Sequence, residues 1–135
     1  MSDTGERRNF YGRIRGKTLR ASQKDYLAED LGPLTLRGVT REENPTRAKL
    51  SLEFVKGPLW LEVGFGGGEH LVHMAAANPQ VTIIGAEPFV NGIAMLLGKI
   101  RGAGVQNLWL HPGDVRDLFD VLPDACLTKV FLNYP

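Results

Sequence analysis

The strongest constraint on the fold is a regular alternation of short apolar strands and helices in the second half of the chain. Strands that alternate with helices at this spacing form βαβ units, in which the strands lie parallel in one sheet. The sequence therefore predicts an α/β fold with a mostly parallel sheet. The expected strands are residues 59–63, 81–85, 107–111 and 127–132, and the expected helices are residues 69–77, 91–101 and 115–122.

The first part of the chain lacks this alternation. One short helix is expected at residues 22–31, and Gly32 and Pro33 are expected to end it. The polar residues that follow, up to residue 48, are expected to form a loop or linker. We therefore divide the chain into a basic arm, short helix and linker at residues 1–48, and a ligand-binding domain at residues 49–135.

Charge is distributed unevenly along the sequence. Residues 1–20 contain six basic and two acidic groups, a net charge of +4, whereas the remaining 115 residues carry a net charge of −3. A basic arm on a mildly acidic body suggests a polyanionic partner. Phe10 and Tyr11 lie among the arginines, where their rings can stack on unpaired bases. Composition alone leaves two alternatives open, a nucleic-acid-binding arm and a solvated tail.

The composition excludes several classes of protein. The chain is 43% hydrophobic and 23% charged, which is ordinary for a globular domain. Cys126 is its only cysteine, so a disulfide framework and a cysteine zinc site are excluded. The N-terminus lacks the apolar core of a signal peptide, and the apolar runs are too short to span a bilayer. We expect a cytoplasmic protein without a membrane segment.

A glycine-rich turn follows the first expected strand. It runs from Glu62 to Gly68 and includes Gly64 and Gly66. Glycine lets the backbone approach a ligand closely, although a tight strand-to-helix turn without a ligand would use the same residues. The dinucleotide fingerprint requires a third glycine at the position of Glu69, and the lysine of a P-loop is missing. An anionic Glu62 beside this turn suits a cationic ligand such as S-adenosylmethionine, which carries a sulfonium and an ammonium.

Two further acids follow the next two strands. Glu87 lies 25 residues after Glu62, and Asp114 lies 27 residues after Glu87. Ligands of open parallel sheets bind at the carboxyl ends of the strands. There Glu87 can accept hydrogen bonds from ribose hydroxyls and Asp114 from an adenine amino group. Taken singly, Glu87 is equally well a surface acid and Asp114 a helix cap. Taken together, the three acids predict a site for an adenosyl ligand.

Other reactive side chains predict less. His70 and His73 are three residues apart on one expected helix, but zinc needs at least three protein ligands and no third is nearby. We therefore expect surface histidines and no metal site. Cys126 has no neighbouring base and is expected to be a small core residue. The nucleophile motif G-x-S-x-G is absent from the sequence.

The sequence resembles the bacterial tRNA (guanine-N7)-methyltransferases from Arg8 to Pro135. The most specific stretches are Leu61-Glu-Val-Gly-Phe-Gly-Gly-Gly-Glu-His70 and Gly85-Ala-Glu-Pro-Phe-Val-Asn-Gly92. The stretch Val130-Phe-Leu-Asn-Tyr-Pro135 is similar to the end of the family's fourth strand. The resemblance implies a Rossmann-like class I methyltransferase fold, of which the first four strands are given, with a basic N-terminal extension.

The resemblance also implies roles for individual residues. It implies that Glu62, Glu87 and Asp114 contact S-adenosylmethionine and that Gly64 and Gly66 line the methionine end of this cofactor. The reaction would be methyl transfer to N7 of a guanine in tRNA, with catalysis by in-line positioning. It further implies a basic arm that helps to hold tRNA, whose candidate residues are Arg7, Arg8, Arg13, Arg15 and Lys17.

In this family the fourth strand continues as Pro-Asp-Pro-Trp and a basic run. The aspartate of that motif would directly follow Pro135, so the guanine-binding and catalytic segment is expected beyond the residues given. We expect a monomer. The alternatives are a non-catalytic nucleic-acid-binding remnant that uses its basic arm on phosphates, and a methyltransferase with another substrate. A nicotinamide-dependent oxidoreductase is disfavoured by the missing third glycine.

Overall fold

A computed structural model describes residues 18–133 of the chain. Every predicted strand and helix from residue 59 onwards is present, with ends within two residues of those expected. The elements are α1 (Ala21–Glu29), α2 (Leu31–Leu34), β1 (Leu59–Val63), α3 (Glu69–Ala77), β2 (Thr82–Ala86), α4 (Val90–Ala103), β3 (Leu108–His111), α5 (Val115–Val121) and β4 (Lys129–Leu132).

The four strands form one parallel sheet in the order β3-β2-β1-β4. From β1 the chain moves outward through β2 to β3, and then returns to the other side of β1 with β4. The order therefore reverses beside β1, and this reversal is where open α/β sheets bind their ligands. The predicted α/β fold with a parallel sheet is confirmed.

Helices and loops cover both faces of the sheet. Neighbouring residues of a strand point to opposite faces, and β2 shows both environments. Ile83 packs in the cluster that contains Leu96 of α4, whereas Ile84 packs in the cluster that contains Leu118 of α5 and the loop residue Val39. All five residues of β2 are buried, as expected for a strand covered on both faces.

The helical region before the sheet differs from its prediction at Gly32 and Pro33. The first helix, α1, already ends at Glu29, and Gly32 and Pro33 lie inside the short helix α2. Pro33 is the third residue of α2, where the backbone nitrogen has no intrahelical acceptor to lose. The expectation that these two residues end a helix is therefore wrong.

The polar stretch up to residue 48 is irregular, as expected, but it is tied to the sheet domain. Val39 is buried in the core cluster beside α5. Arg47 donates hydrogen bonds to the carbonyl oxygens of Val39 at 2.8 Å and Asp117 at 2.7 Å. These contacts attach the loop to α5. The division of the chain at residue 48 stays a prediction.

Candidate cofactor site

The three predicted acids lie at one edge of the sheet. The end of β1 pairs with the end of β2, and the end of β2 pairs with the end of β3. Glu62 is the penultimate residue of β1, Glu87 directly follows β2, and Asp114 follows β3 by three residues. Because parallel strands end at the same edge, the fold places these acids on neighbouring strand ends.

The glycine-rich loop after β1 requires glycine for conformational reasons. Gly64, Gly66 and Gly68 have φ angles of 71°, 60° and 84°. This left-handed region is costly for residues with a Cβ. A Cβ at Gly66 would meet no heavy atom within 4 Å, and the residue is exposed. The backbone of Gly66 therefore borders open space, where a ligand can approach it.

Contacts with helix α4 fix the position of the glycine-rich loop. The ammonium of Lys99 donates to the carbonyl oxygen of Gly67 at 2.8 Å. Gly92 packs so closely that a Cβ there would lie 2.2 Å from the carbonyl oxygen of Gly66, and a Cβ at Gly68 would lie 2.3 Å from a methyl carbon of Leu96. The loop is thus held in place by close packing and a hydrogen bond with α4.

Glu87 joins the end of β2 to the glycine-rich loop. One carboxylate oxygen accepts the backbone N–H of Gly66 at 2.8 Å, and the other accepts the N–H of Phe89 at 3.1 Å. Glu87 is 8% exposed, so these charge-assisted bonds are partly shielded from water. Each carboxylate oxygen can accept a second hydrogen bond, which leaves Glu87 capacity for a ligand.

Glu62 lies deeper than its predicted role suggests. It is 0% exposed, and both of its oxygens have protein partners. One is 3.0 Å from Nδ1 of His70, and the other accepts the side-chain amide of Asn133. The expected surface exposure of His70 is confirmed, since 48% of its side chain is exposed. Its contact with Glu62, eight residues earlier across the glycine turn, was not predicted.

Asp114 caps helix α5. Its carboxylate accepts the backbone N–H of Arg116 at 2.9 Å and forms an ion pair with the guanidinium of Arg116 at 2.7 Å. The cap role that the sequence suggested is confirmed. The Asp114 side chain is 13% exposed, so a contact with an adenine amino group would be made at the surface of this cap. That contact stays a prediction.

A buried histidine that the sequence analysis did not single out links two of these loops. The backbone carbonyl of His111 accepts the N–H of Glu87 at 3.1 Å. Nε2 of His111 lies 3.0 Å from the carbonyl oxygen of Asp114. A carbonyl only accepts, so Nε2 must carry the proton. Burial lowers the pKa of His111, while the Asp114 carbonyl and the charge of Asp117 oppose the shift.

This environment leads to an expected pH dependence of stability. The pKa of His111 is lowered from its ordinary value of 6.5. As the pH falls, the imidazole therefore becomes charged in the unfolded chain before it does so in the folded protein. The neutral ring stabilises the fold fully above the ordinary pKa of the unfolded chain. This stabilisation is lost as the pH falls from there through the lower pKa of the folded protein. Urea unfolding at neutral and mildly acidic pH should show this loss. In His111→Gln the loss should be smaller, and an identical pH dependence would contradict the assignment.

The predicted tRNA-binding residues Arg7, Arg8, Arg13, Arg15 and Lys17 lie outside the residues that the structure describes. Between residues 18 and 133 there is no cluster of three or more histidine, cysteine, aspartate or glutamate side chains that could hold a metal ion. Within the same range no helix is long and apolar enough to cross a membrane.

A separate hollow of about 590 Å³ lies at the opposite edge of the sheet, near the amino-terminal ends of β2 and β3. It is lined by side chains that include Phe54, Asn107 and Trp109. None of the predicted cofactor residues lines it. The volume of this hollow therefore gives no support to the predicted site, which rests on the residues at the strand ends.

The comparison with protein families concerns the part of the chain that forms the sheet. Residues 56–135 match the family described as putative methyltransferase. This match covers more than half of the chain, and the chain belongs to this family. Membership of this family implies a methyl donor.

A comparison with curated proteins finds relatives that are named for one specific reaction. The chain is similar to proteins named tRNA (guanine-N(7)-)-methyltransferase from three bacteria. It is 70% identical over 130 residues to the one from Cereibacter sphaeroides, covering 95% of this chain and 54% of the relative. It is 66% identical over 132 residues to the one from Paracoccus denitrificans, covering 96% of this chain and 57% of the relative. It is 62% identical over 131 residues to the one from Ruegeria pomeroyi, covering 96% of this chain and 55% of the relative. The resemblance to this family is confirmed, and the chain spans about half the length of these relatives.

Proposed function

We propose that this protein transfers a methyl group from S-adenosylmethionine to N7 of a guanine in tRNA, and that residues 49–135 form its cofactor-binding domain. The observation that carries the proposal is that Glu62, Glu87 and Asp114 lie at three neighbouring strand ends, beside the glycine-rich loop with its positive φ angles. The 70% identity to a relative named for this reaction supports the choice of substrate.

The residues present fit an adenosyl cofactor with a cationic tail. Gly64 and Gly66 would line the methionine end, because the backbone at Gly66 borders open space. Glu87 would accept the ribose hydroxyls with the lone pairs that its two backbone contacts leave over. Asp114 would accept the adenine amino group at the start of α5. Glu62 would place a negative charge near the end of the cofactor that carries the sulfonium and the ammonium.

The reaction needs little from the protein beyond positioning. S-adenosylmethionine would supply an electrophilic methyl group on a positively charged sulfur. Guanine N7 has an available lone pair, so no base is required to create the nucleophile. Methyl transfer would form a bond between N7 and the methyl carbon at the expense of the bond between that carbon and sulfur, and the positive charge would pass to the guanine ring. Alignment of the two reactants can supply much of the rate enhancement.

The basic arm would contribute to tRNA binding. Residues 1–20 carry a net charge of +4, and Lys and Arg side chains on phosphates give affinity that falls as salt rises. Arg7, Arg8, Arg13, Arg15 and Lys17 are the residues proposed for this role. A tRNA substrate would place the protein in the cytoplasm. The aspartate expected directly after Pro135 would belong to the guanine site.

The test is methyl transfer by the protein expressed from its complete reading frame. With labelled S-adenosylmethionine and unmodified tRNA, we expect label in 7-methylguanosine, identified by nucleoside analysis. Label in DNA or protein, with tRNA unlabelled, would refute the substrate. Salt-dependent tRNA binding without affinity for S-adenosylmethionine would instead favour the non-catalytic nucleic-acid-binding alternative.

A further inference from the structure

The burial of Glu62 raises the question of how its charge can act on a ligand. Glu62 is 0% exposed, and each carboxylate oxygen has a protein partner, His70 on one side and Asn133 on the other. Each oxygen could accept a second hydrogen bond, but Glu62 is 0% exposed, so a ligand could reach the carboxylate only if a residue that covers it, such as His70 or Asn133, moved. Breaking such a contact would leave a donor unpaired, which is costly in a partly buried site. Direct contact between a ligand and the Glu62 carboxylate is therefore unfavourable.

His70 offers a route from Glu62 to the surface. Its Nδ1 lies 3.0 Å from the carboxylate, and a carboxylate only accepts, so Nδ1 carries the proton. In the neutral form of this tautomer the lone pair is on Nε2. Among residues 18–133 no hydrogen-bond partner of Nε2 is found. The ring of Phe131 packs edge-on against the imidazole, with centroids 5.7 Å apart, and the side chain remains 48% exposed.

This arrangement is a buried carboxylate that orients an exposed imidazole. The carboxylate fixes the tautomer and holds negative charge behind the ring, which makes the other nitrogen a better acceptor for a cation. The imidazole follows the glycine-rich loop directly, at the second residue of α3. The neighbouring Glu69 is exposed and lies in the first turn of α3. The local chemistry thus favours a cationic hydrogen-bond donor as the ligand group.

We propose that Nε2 of His70 accepts a hydrogen bond from the ammonium of the methionine end of S-adenosylmethionine, and that Glu62 acts on the cofactor through His70. This inference rests on the proposed cofactor and deepens its binding site. It assigns ligand contact to His70 and makes Glu62 a positioning residue. It also explains why a carboxylate at the ligand edge can be fully buried.

Two substitutions separate this role from a structural one. The amide of Asn in His70→Asn can replace Nδ1 and keep the contact with Glu62, but it has no group at the position of Nε2. His70→Ala removes both contacts. The ligands are S-adenosylmethionine and 5′-methylthioadenosine, which shares the adenosine and sulfur but lacks the amino-acid end. Calorimetric titration of the complete wild-type protein and of both variants gives the six affinities, and thermal unfolding gives the stability of each protein.

We expect both variants to bind S-adenosylmethionine about tenfold more weakly than the wild type, with unchanged affinity for 5′-methylthioadenosine. His70→Asn should unfold at the wild-type temperature, whereas His70→Ala should unfold at a lower one. Wild-type affinity in His70→Asn would overturn the inference, because holding Glu62 would then suffice. An equal loss for both ligands would overturn it as well, since it would indicate a general distortion. A wild type that binds neither ligand would instead refute the proposed cofactor.

Discussion

Glu87→Ala is expected to weaken the binding of S-adenosylmethionine by at least about 100-fold, because it removes several charge-assisted hydrogen bonds at once. Glu87 accepts the backbone N–H groups of Gly66 and Phe89, at 2.8 Å and 3.1 Å. The substitution frees the glycine-rich loop from the end of β2 and also removes the acceptor proposed for the ribose hydroxyls. Calorimetric titration of the cofactor measures the effect.

Two control variants locate the cause of this loss. Glu87→Gln keeps one acceptor oxygen, while its amide nitrogen cannot accept the second N–H, so its affinity should fall between the wild type and Glu87→Ala. Glu42→Ala removes an exposed carboxylate far from the site in sequence and should leave affinity unchanged. Affinity within about threefold of the wild type in Glu87→Ala would exclude Glu87 from the binding site, since the loss of even one charge-assisted bond should exceed this.

Gly92→Ala is expected to damage both stability and cofactor binding. A Cβ at Gly92 would lie 2.2 Å from the carbonyl oxygen and 3.0 Å from the carbonyl carbon of Gly66. Both atoms belong to the backbone, so either α4 or the glycine-rich loop must move. Such overpacking costs about 1–3 kcal/mol, and displacement of Gly66 should also weaken cofactor binding about tenfold or more. Urea unfolding and cofactor titration measure the two effects.

Gly102→Ala is the matched control for this prediction. Gly102 lies in the same helix, α4, and a Cβ there would meet no heavy atom within 4 Å. Alanine has the higher helix propensity, so this variant should be stabilised by up to ~1 kcal/mol with unchanged cofactor affinity. If Gly92→Ala behaved like Gly102→Ala, the close packing of α4 on the glycine-rich loop would have no role in the site.

The sequence predicted the sheet well because its strands carry local signals. The β-branched residues around Ile83 and Ile84, and the glycine that follows them, mark a buried strand without any knowledge of its neighbours. The helix ends were harder to predict, because residues that usually stop a helix can also fit into its first turn. Gly32 and Pro33 carry a strong signal to stop a helix, yet both fit the first turn of α2, where a missing backbone donor costs nothing.

The contacts within the candidate site were harder to predict, because they depend on how distant segments meet. The residue types alone identified Glu62, Glu87 and Asp114 as a set. They did not show that Glu62 would be covered by His70 and by Asn133, the residue that follows β4. Nor did they show that a buried His111 would tie the Asp114 loop to β3. The contact of Asn133 with Glu62 joins residues 71 apart in the sequence, which only the folded sheet brings together.

Because of these contacts, we expect the proposed site to bind its ligand with little rearrangement. The glycine-rich loop is fixed by Glu87, by Lys99 and by the close approach of Gly92. A loop that is already held in its binding conformation loses less conformational entropy when the ligand arrives. This preorganisation is what the substitutions at Glu87 and Gly92 are expected to remove.

The most direct test of the proposed site is a crystal structure of the protein with S-adenosylhomocysteine, the product of methyl transfer. We expect the ligand across the carboxyl ends of β1, β2 and β3, with Glu87 on the ribose hydroxyls and Asp114 on the adenine amino group. A ligand in the hollow beside Trp109 at the opposite edge, or one that touches neither acid, would contradict the account.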